Sequence, residues 1–186
     1  MPSGKQEFLT FVLGKEEFAV EILRVQEIRG WEAPNPLPSV PKYIKGVVDL
    51  RGIIVPIIDL REKFGLLAKF DATTVVIVVH VLTSQGERIV GLVVDAVSDV
   101  HQFDMDNLQP APDISDSIEN QYILGLTSIQ QGHQGKAANQ DASAEVELGK
   151  KSNDRMVVVV DLDKLSTEGL IEDIINNVDN MPTGNG

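Results

Sequence analysis

Aspartates at the ends of apolar runs are the residues of this chain whose type and spacing suit acid–base chemistry. There are four of them: Asp49, Asp59, Asp95 and Asp161. Such carboxylates act as an acid–base pair only when two of them converge in one pocket with perturbed pKa values. More often, acids in these positions cap turns and helices. The sequence contains neither a nucleophile elbow nor a phosphate-binding loop, so it favours a protein that is not an enzyme and leaves an aspartate site as the alternative.

Metal binding is the second kind of chemistry to consider. The histidines are His80, His101 and His133. None of them lies at the spacing of a zinc site, and the chain has no cysteine. Stretches that begin at Asp104 and Asp161 open like calcium loops, but the glycine and the final glutamate of an EF-hand do not follow. The sequence therefore predicts neither a metal site nor a cofactor.

Composition limits the class of partner and the compartment. The chain has 186 residues, of which 42% are hydrophobic and 24% are charged, as in a globular domain or two small lobes that share a core. Its formal net charge of -12 disfavours nucleic acid and anionic membranes as partners. The absence of cysteine fits a reducing cytoplasm. We see no signal peptide and no apolar run long enough to span a membrane.

The elements that must position these residues are mainly short strands. We predict strands at 6–13 and 16–22 around a glycine turn, and a short helical turn that leads into a strand over 22–30. Further strands are predicted at 46–50, 53–59, 72–81, 88–97 with a continuation to 103, 122–129 and 156–162. The β-branched run at 72–81 is typical of a strand buried on both faces. Gly91 marks a bulge or a close backbone approach.

The connecting segments contain few long helices. Four prolines make 33–41 an extended loop, and Asp59 caps one helical turn that closes at Gly65. The polar segment 130–154 is predicted to be a flexible inserted loop, and 181–186 is predicted to be disordered. Between them, a terminal amphipathic helix is predicted from an apolar face with helical spacing: Ile171, Ile174, Ile175 and Val178. The whole forms one domain over 6–180.

These elements favour small β-barrels or a sandwich, because the strands do not alternate with helices long enough for a parallel α/β sheet. A protein of this kind binds partners through its shape, its strand edges and its apolar grooves. On the residues alone, the sequence indicates a mostly β binding module.

The stretch GVVDLRGIIVPIIDL, residues 46–60, places a charge inside the most apolar segment. Gly52 permits a turn between two strands, and Arg51 then lies at a strand end. Its guanidinium can reach water, a carbonyl or a carboxylate, and Asp49 and Glu27 are both candidates. As a hypothesis, Arg51 holds this hairpin in shape and does not itself contact a receptor.

Several long segments resemble the CheW family of bacterial chemotaxis coupling proteins. They are QEFLTFVLGKEEFAVEILRVQEIRG, YIKGVVDLRGIIVPIIDLREKFG, TVVIVV, RIVGLVVDAVSDV and RMVVVVDLDKL. The resemblance covers roughly residues 6–165 except 130–154, although Asp49 stands where the family usually has asparagine. It implies two intertwined SH3-like five-stranded β-barrels that share an apolar core. It also implies a cytoplasmic, non-catalytic adaptor that connects methyl-accepting chemoreceptors to the regulatory domain of the histidine kinase CheA in membrane-associated arrays.

The resemblance also implies which residues contact each partner. A groove between the barrels would receive the tip of the receptor's helical hairpin, and the matching positions are Val25, Glu27, Val97 and Val100. The kinase would contact the strand pair at 46–57, especially Ile54. A ring-closing contact would use Gln109 and Ile114, with Gln109 in place of a familiar basic residue. The sequence leaves open whether Val97 or Val100 is ordinary core, and whether the module serves flagellar chemotaxis or another chemosensory pathway.

Overall fold

The computed structural model describes residues 4–110, 122–130, 154–166 and Ile174. The strands in these residues are β1 (Lys5–Leu13), β2 (Glu16–Glu21), β3 (Val25–Gly30), β4 (Ile44–Leu50), β5 (Ile53–Asp59), β6 (Val75–Thr83), β7 (Gly86–Val94), β8 (Ala96–Asp104), β9 (Ile123–Gln130) and β10 (Asp154–Val160). Short helices follow two of the strands: α1 (Leu60–Lys63) and α2 (Leu162–Ser166). Turns of 3₁₀ helix lie at Ile22–Arg24 and Met105–Asn107.

The strands form two five-stranded sheets, in the orders β8-β1-β2-β10-β9 and β3-β6-β7-β5-β4. We call the first the terminal barrel, because both ends of the chain build it, and the second the central barrel. The chain leaves the terminal barrel after β2, builds the whole central barrel, and returns at β8. This confirms the predicted fold class, a mostly β protein with two intertwined five-stranded units.

Each sheet curls until its two edges approach each other. In the central barrel, Gly30 of β3 and Val48 of β4 line the same cavity of about 40 Å³, although β3 and β4 are opposite edges of the sheet. In the terminal barrel, Phe103 of β8 and Ile129 of β9 belong to the same buried cluster, although these strands are also opposite edges. Each barrel therefore has an apolar interior of its own.

A third and larger apolar cluster lies between the barrels, and we call it the shared core. In β10, Val157 and Val159 face the interior of the terminal barrel, whereas Val158 and Val160 face the shared core. Because successive side chains point to opposite faces, a strand between two cores is apolar at every position. This explains the unbroken valine run of β10. It also explains why β6, predicted at 72–81 and observed at Val75–Thr83, is buried on both faces.

The two barrels follow one plan. Both sheets pair their strands in the same order of antiparallel, antiparallel, parallel and antiparallel contacts, so β3 to β7 correspond to β8, β9, β10, β1 and β2. The carbonyl of Tyr43 accepts a hydrogen bond from Asp59 N at 2.7 Å, and the carbonyl of Tyr122 accepts one from Asp161 N at 2.9 Å. Each aspartate directly precedes a short helix. The order of the strands along the chain in the central barrel is thus a circular permutation of their order in the terminal barrel.

In both sheets, a residue outside the named strands pairs with one edge strand. Asn35 exchanges two hydrogen bonds of 2.9 Å with Val47 on β4, and Gln109 exchanges two of 2.9 and 2.8 Å with Leu126 on β9. Gly46 has φ of 139°, and a Cβ there would lie 2.0 Å from the Asn35 carbonyl oxygen, so no other residue permits this approach. These bridges satisfy part of the edge backbone of β4 and β9, which limits pairing with another chain.

Some predictions need correction or remain untested. The strand predicted at 88–97 is two strands, because the chain passes at Asp95 from the central to the terminal barrel. Gly91 marks a close approach, since a Cβ there would lie 2.7 Å from Cδ1 of Ile57. Of the predicted terminal helix only Ile174 is described, and it is helical and buried in the shared core. Residues 131–153 and 181–186 lie outside the described residues.

Candidate partner-binding groove

The strand β8 forms one wall beside the shared core. Its Val97 lies opposite Phe11 of β1, and its Val100 lies opposite Leu9. Because Phe11 and Leu9 belong to the shared core, both valines lie on the face of β8 that borders this core. Val97 is partly buried against it, whereas Val100 remains 45% exposed. Val100 therefore offers apolar surface to a partner.

The strand β3 forms the corresponding wall on the central barrel. Val25 lies opposite Val79 of β6, and Ile28 lies opposite Ile77. Val79 and Ile77 belong to the shared core, so Val25 and Ile28 also border it. Val25 is partly buried, and Ile28 is 45% exposed. We use the word groove for the surface between these walls, defined by Val25, Ile28, Val97 and Val100.

A β-bulge brings the apolar residues of each wall to one face. Each wall strand has one extra residue between its two wall residues. These two residues are three positions apart, whereas the residues they pair with on the neighbouring strand are two positions apart. Without the bulge, residues three positions apart would point to opposite faces. In β8, Thr10 fixes the bulge, since its hydroxyl accepts a hydrogen bond from Asp99 N and donates one to Asp99 O. Alternation alone did not reveal Ile28 as a wall residue.

Glu27 lies on the other face of β3, opposite Val78, whose side chain faces the interior of the central barrel. One oxygen of its carboxylate accepts a hydrogen bond of 2.7 Å from Nη2 of Arg51. This ion pair joins β3 to the turn between β4 and β5, across the two edges of the central sheet. Arg51 therefore uses Glu27, and Asp49 instead accepts a hydrogen bond from Gly52 N at 2.7 Å.

The turn at Arg51 and Gly52 has the backbone conformation of a two-residue hairpin turn. Arg51 has φ of 53° and Gly52 has φ of 88°. Positive φ at both central residues is typical of a type I′ hairpin turn, which matches the twist of the two strands. The exposed guanidinium then extends from a rigid turn to Glu27.

The residues predicted for the kinase lie on separate barrels. Ile54 is on β5, where it is partly buried against the shared core, and its neighbour Ile53 is 50% exposed. Gln109 is exposed and belongs to the bridge that covers β9. Ile114 lies outside the described residues. Val25, Val97 and Val100 thus all lie on strand faces that border the shared core, whereas Ile54 and Gln109 lie on different barrels.

A fully buried arginine forms the first of two clips between the barrels. Arg61, the second residue of α1, binds Asp59 through Nε at 2.9 Å and Asp95 through Nη1 at 2.8 Å. The other oxygen of Asp95 accepts a hydrogen bond from Gly14 N at 2.6 Å, in the turn between β1 and β2. Burial opposes the charge, but the hydrogen bonds to Asp59 and Asp95 outweigh it and raise the pKa of Arg61.

The second clip has the same construction with the charges reversed. Asp163, the second residue of α2, accepts two hydrogen bonds of 2.9 and 2.8 Å from Arg24. It also accepts a hydrogen bond of 3.0 Å from Leu82 N, near the end of β6. Burial alone would raise the pKa of Asp163, but the hydrogen bonds from Arg24 and from Leu82 N lower it below its ordinary value of 3.8.

Each clip fixes the start of one wall of the groove. Asp95 directly precedes β8, and Arg24 directly precedes β3. In both clips a residue of a short helix on one barrel binds the connection into a wall strand of the other barrel. Two ion pairs therefore hold the residues from which the wall strands begin. Sequence reasoning missed these links between the barrels, because Arg61 and Asp95, like Arg24 and Asp163, are distant along the chain.

The aspartates considered for acid–base chemistry have structural partners. Asp59 and Asp95 do converge, but they converge on the guanidinium of Arg61, which fills the space that a substrate would need. Asp49 supports the hairpin turn, and Asp161 accepts a hydrogen bond of 3.1 Å from Lys164 N. Among the described residues, no group of three His, Asp or Glu side chains is placed to hold a metal ion.

The second clip predicts a specific dependence of stability on pH. Because the pKa of Asp163 is lowered on folding, its contribution is present above about pH 4 and is lost as the pH falls through the lowered pKa. Asp163→Asn should reduce the free energy of unfolding by about 1 kcal/mol at pH 7, since both partners are partly exposed, and by less at pH 2. Urea denaturation at both pH values measures this. An equal loss at both would contradict the assignment.

A double-mutant cycle provides the control for this clip. Arg24→Gln combined with Asp163→Asn should cost less than the sum of the two single substitutions, because each one already breaks the same ion pair. Additive costs would mean that the pair contributes nothing to stability.

The amino-acid sequence of this chain is similar to those of known proteins. A family model described as CheW-like domain matches residues 7–169. The chain is 40% identical over 161 residues to "Chemotaxis protein CheW" of Klebsiella aerogenes, which covers 86% of this chain and 81% of that one. It is 38% identical over 130 residues to "Chemotaxis protein CheW" of Rhizobium meliloti, with 70% and 82% covered.

A comparison with solved structures supports the fold. The scaffolding protein TtCheW from Thermoanaerobacter tengcongensis matches with a TM-score of 0.65, 23% identity and 89% of each chain covered. In the described part of this chain, no helix has the length and apolar character needed to cross a membrane. On the family model and the sequence relatives together, this chain belongs to the CheW family of chemotaxis proteins.

Proposed function

We propose that this chain is a non-catalytic adaptor that couples methyl-accepting chemoreceptors to the histidine kinase CheA. The observation that carries the proposal is the groove, in which two edge strands of different barrels present apolar residues beside the shared core. Membership of the CheW family supports it, since relatives carry the name of a chemotaxis protein and a structural neighbour is named a scaffolding protein.

The groove is the proposed receptor site. Val25, Val97 and Val100 contact the apolar face of the receptor's helical hairpin, where full burial of a valine side chain contributes about 1.5–3 kcal/mol. Val100 has the larger exposed surface to lose, and Val25 and Val97 form the deeper part of each wall. Glu27 acts through Arg51, because this ion pair holds β3 against the neighbouring hairpin.

The hairpin of β4 and β5 is the proposed kinase site. Ile54 and the more exposed Ile53 form its apolar part, and Arg51 and Gly52 set its shape. A second contact with the kinase, which closes a ring, uses Ile114 and also Gln109, which pairs with β9 of the terminal barrel. The two contacts lie on different barrels, so one adaptor can join two kinase domains. We place the protein in the cytoplasm, at membrane-associated receptor arrays, without a nucleic-acid partner.

Reconstitution tests this function. The purified chain should sediment with a receptor signalling domain and CheA, and it should raise the rate of kinase autophosphorylation in their presence. A chain that binds neither partner at micromolar concentration would disprove the proposal. A pull-down from the native cell, followed by identification of the kinase and receptor, separates flagellar chemotaxis from other chemosensory pathways.

A further inference from the structure

A buried threonine lies opposite the bulge of β8. Thr10 of β1 is fully buried. It faces two residues of β8, Ser98 and Asp99, because the register of β8 against β1 shifts between Leu9 and Phe11. The Thr10 hydroxyl accepts a hydrogen bond of 3.1 Å from Asp99 N and donates one of 3.0 Å to Asp99 O. The hydroxyl thus holds the backbone of one particular residue of the bulge.

The bulge has an alternative position one residue further along β8. Asp99 would then pair with Leu9, and Val100 would become the extra residue. The observed pairing of His101 with Phe8 would not change, so the rest of the strand would keep its register. Leu9 belongs to the shared core, so this shift would turn the Asp99 carboxylate to the face that Val100 now occupies. The position of the bulge therefore decides whether this face presents a valine or an aspartate.

Hydrogen bonds favour the observed position of the bulge. In the alternative position Asp99 would lie opposite Leu9, and the buried hydroxyl of Thr10 would lose both of its bonds to Asp99. The Asp99 side chain adds a further bond, since its Oδ1 accepts one of 2.8 Å from Val100 N. Three hydrogen bonds therefore keep Asp99 opposite Thr10 and Val100 opposite Leu9.

The central barrel shows that a bulge does not itself require a buried hydroxyl. In β3 the extra residue is Gln26, and Glu27 pairs with Val78, which is the counterpart of Thr10. There the acidic residue is held through its carboxylate, which accepts a hydrogen bond of 2.7 Å from Arg51. In β8 the acidic residue is held through its backbone instead, by Thr10. The threonine thus supplies in β8 the restraint that an ion pair supplies in β3.

We propose that Thr10 is a positioning residue for receptor binding, because it selects the register of β8 in which Val100 faces outward. This inference rests on the proposed function, in which Val100 contacts the receptor. Thr10 is fully buried and cannot contact a partner, whereas Val100 is 45% exposed. Thr10 therefore acts through the backbone of Asp99.

Amide hydrogen exchange tests the register in the free protein. The Asp99 N–H should exchange slowly in the unmodified chain and in Thr10→Ser, although Asp99 is exposed on an edge strand. In Thr10→Val, which keeps the shape of the side chain but removes the hydroxyl, it should exchange roughly tenfold faster. Fast exchange of this amide in the unmodified chain would overturn the proposal without any variant.

Receptor affinity tests the functional role. Calorimetric titration with a soluble receptor hairpin should show roughly tenfold weaker binding for Thr10→Val and unchanged binding for Thr10→Ser. Binding of the regulatory domain of the kinase should be the same in all three chains, because the hairpin of β4 and β5 belongs to the other barrel. Equal loss in both variants, or equal loss for both partners, would mean that Thr10 has only a packing role.

A second substitution distinguishes a shifted bulge from a loosened strand. If Thr10→Val moves the bulge, the carboxylate of Asp99 is what weakens binding. Thr10→Val combined with Asp99→Ala should then regain most of the lost affinity. No recovery in the double variant would overturn the proposal and leave the proposed function intact. Failure of the unmodified chain to bind the hairpin would instead disprove the proposed function.

Discussion

Replacing Arg61 by alanine should lower the free energy of unfolding by about 3–5 kcal/mol, because the substitution leaves Asp59 buried without its counter-charge. A loss of this size is a large part of the stability of an ordinary domain. It should also weaken the link between the barrels, since Asp95 and Gly14 would lose their connection to α1. Urea denaturation monitored by circular dichroism measures the loss.

Arg51→Ala is the matched control for this prediction. It removes an arginine of the same chain that also binds a carboxylate, but the Arg51 side chain is 71% exposed. An exposed pair of this kind contributes at most about 1 kcal/mol. Equal losses for the two variants would show that the burial of Arg61 does not set its contribution.

Val25→Asp should reduce receptor binding by roughly a hundredfold while the protein remains folded. The new carboxylate would lie at the wall of the groove, where a bound helix would remove it from water without a partner. Calorimetric titration with the receptor hairpin measures the affinity, and thermal unfolding measures the fold. Global unfolding of the variant would show that Val25 is a residue of the core.

Leu23→Asp tests whether any charge near this wall would have the same effect. Leu23 lies two residues earlier, in the 3₁₀ turn, and is 91% exposed. The control should bind the receptor with the affinity of the unmodified chain. If Val25→Asp also binds normally, the proposed receptor surface is wrong.

The strands could be predicted because the apolar pattern of each strand follows from the barrel interior and the shared core that it borders. The prediction of β10 rests on its valine run, and the prediction of β4 and β5 rests on the glycine between two apolar segments. The break at Asp95 could not be seen in the same way. The apolar pattern continues from β7 into β8, and only the arrangement of the two barrels makes the chain change sheets there.

The duplication left a signal in the sequence that a search for a regular repeat does not find. YIKG at 43–46 corresponds to YILG at 122–125, and IIDL at 57–60 corresponds to VVDL at 159–162. The copies are circularly permuted, so the strands that complete the second copy stand at the start of the chain. A fixed period is therefore absent even though the plan repeats.

The candidate site was only partly predictable for a similar reason. Resemblance supplied Val25, Val97 and Val100, but Ile28 required the bulge, which depends on the pairing of β3 with β6. Arg61 was predicted only as part of a helical turn. Its burial depends on Asp95, 34 residues later, and on Phe70, whose ring centre lies 4.7 Å from Cζ of Arg61. Side chains that meet through the fold leave no local pattern.

The opposite polarity of the two clips determines which barrels can pair. Within one chain, Arg61 meets Asp95 and Asp163 meets Arg24. If two central barrels from different chains paired in the same way, each Arg61 would approach an Arg24. Two terminal barrels would bring Asp163 towards Asp95. Like charges would therefore repel in either homotypic pair, so barrels that share one plan still distinguish their correct neighbour from a second copy of themselves during folding.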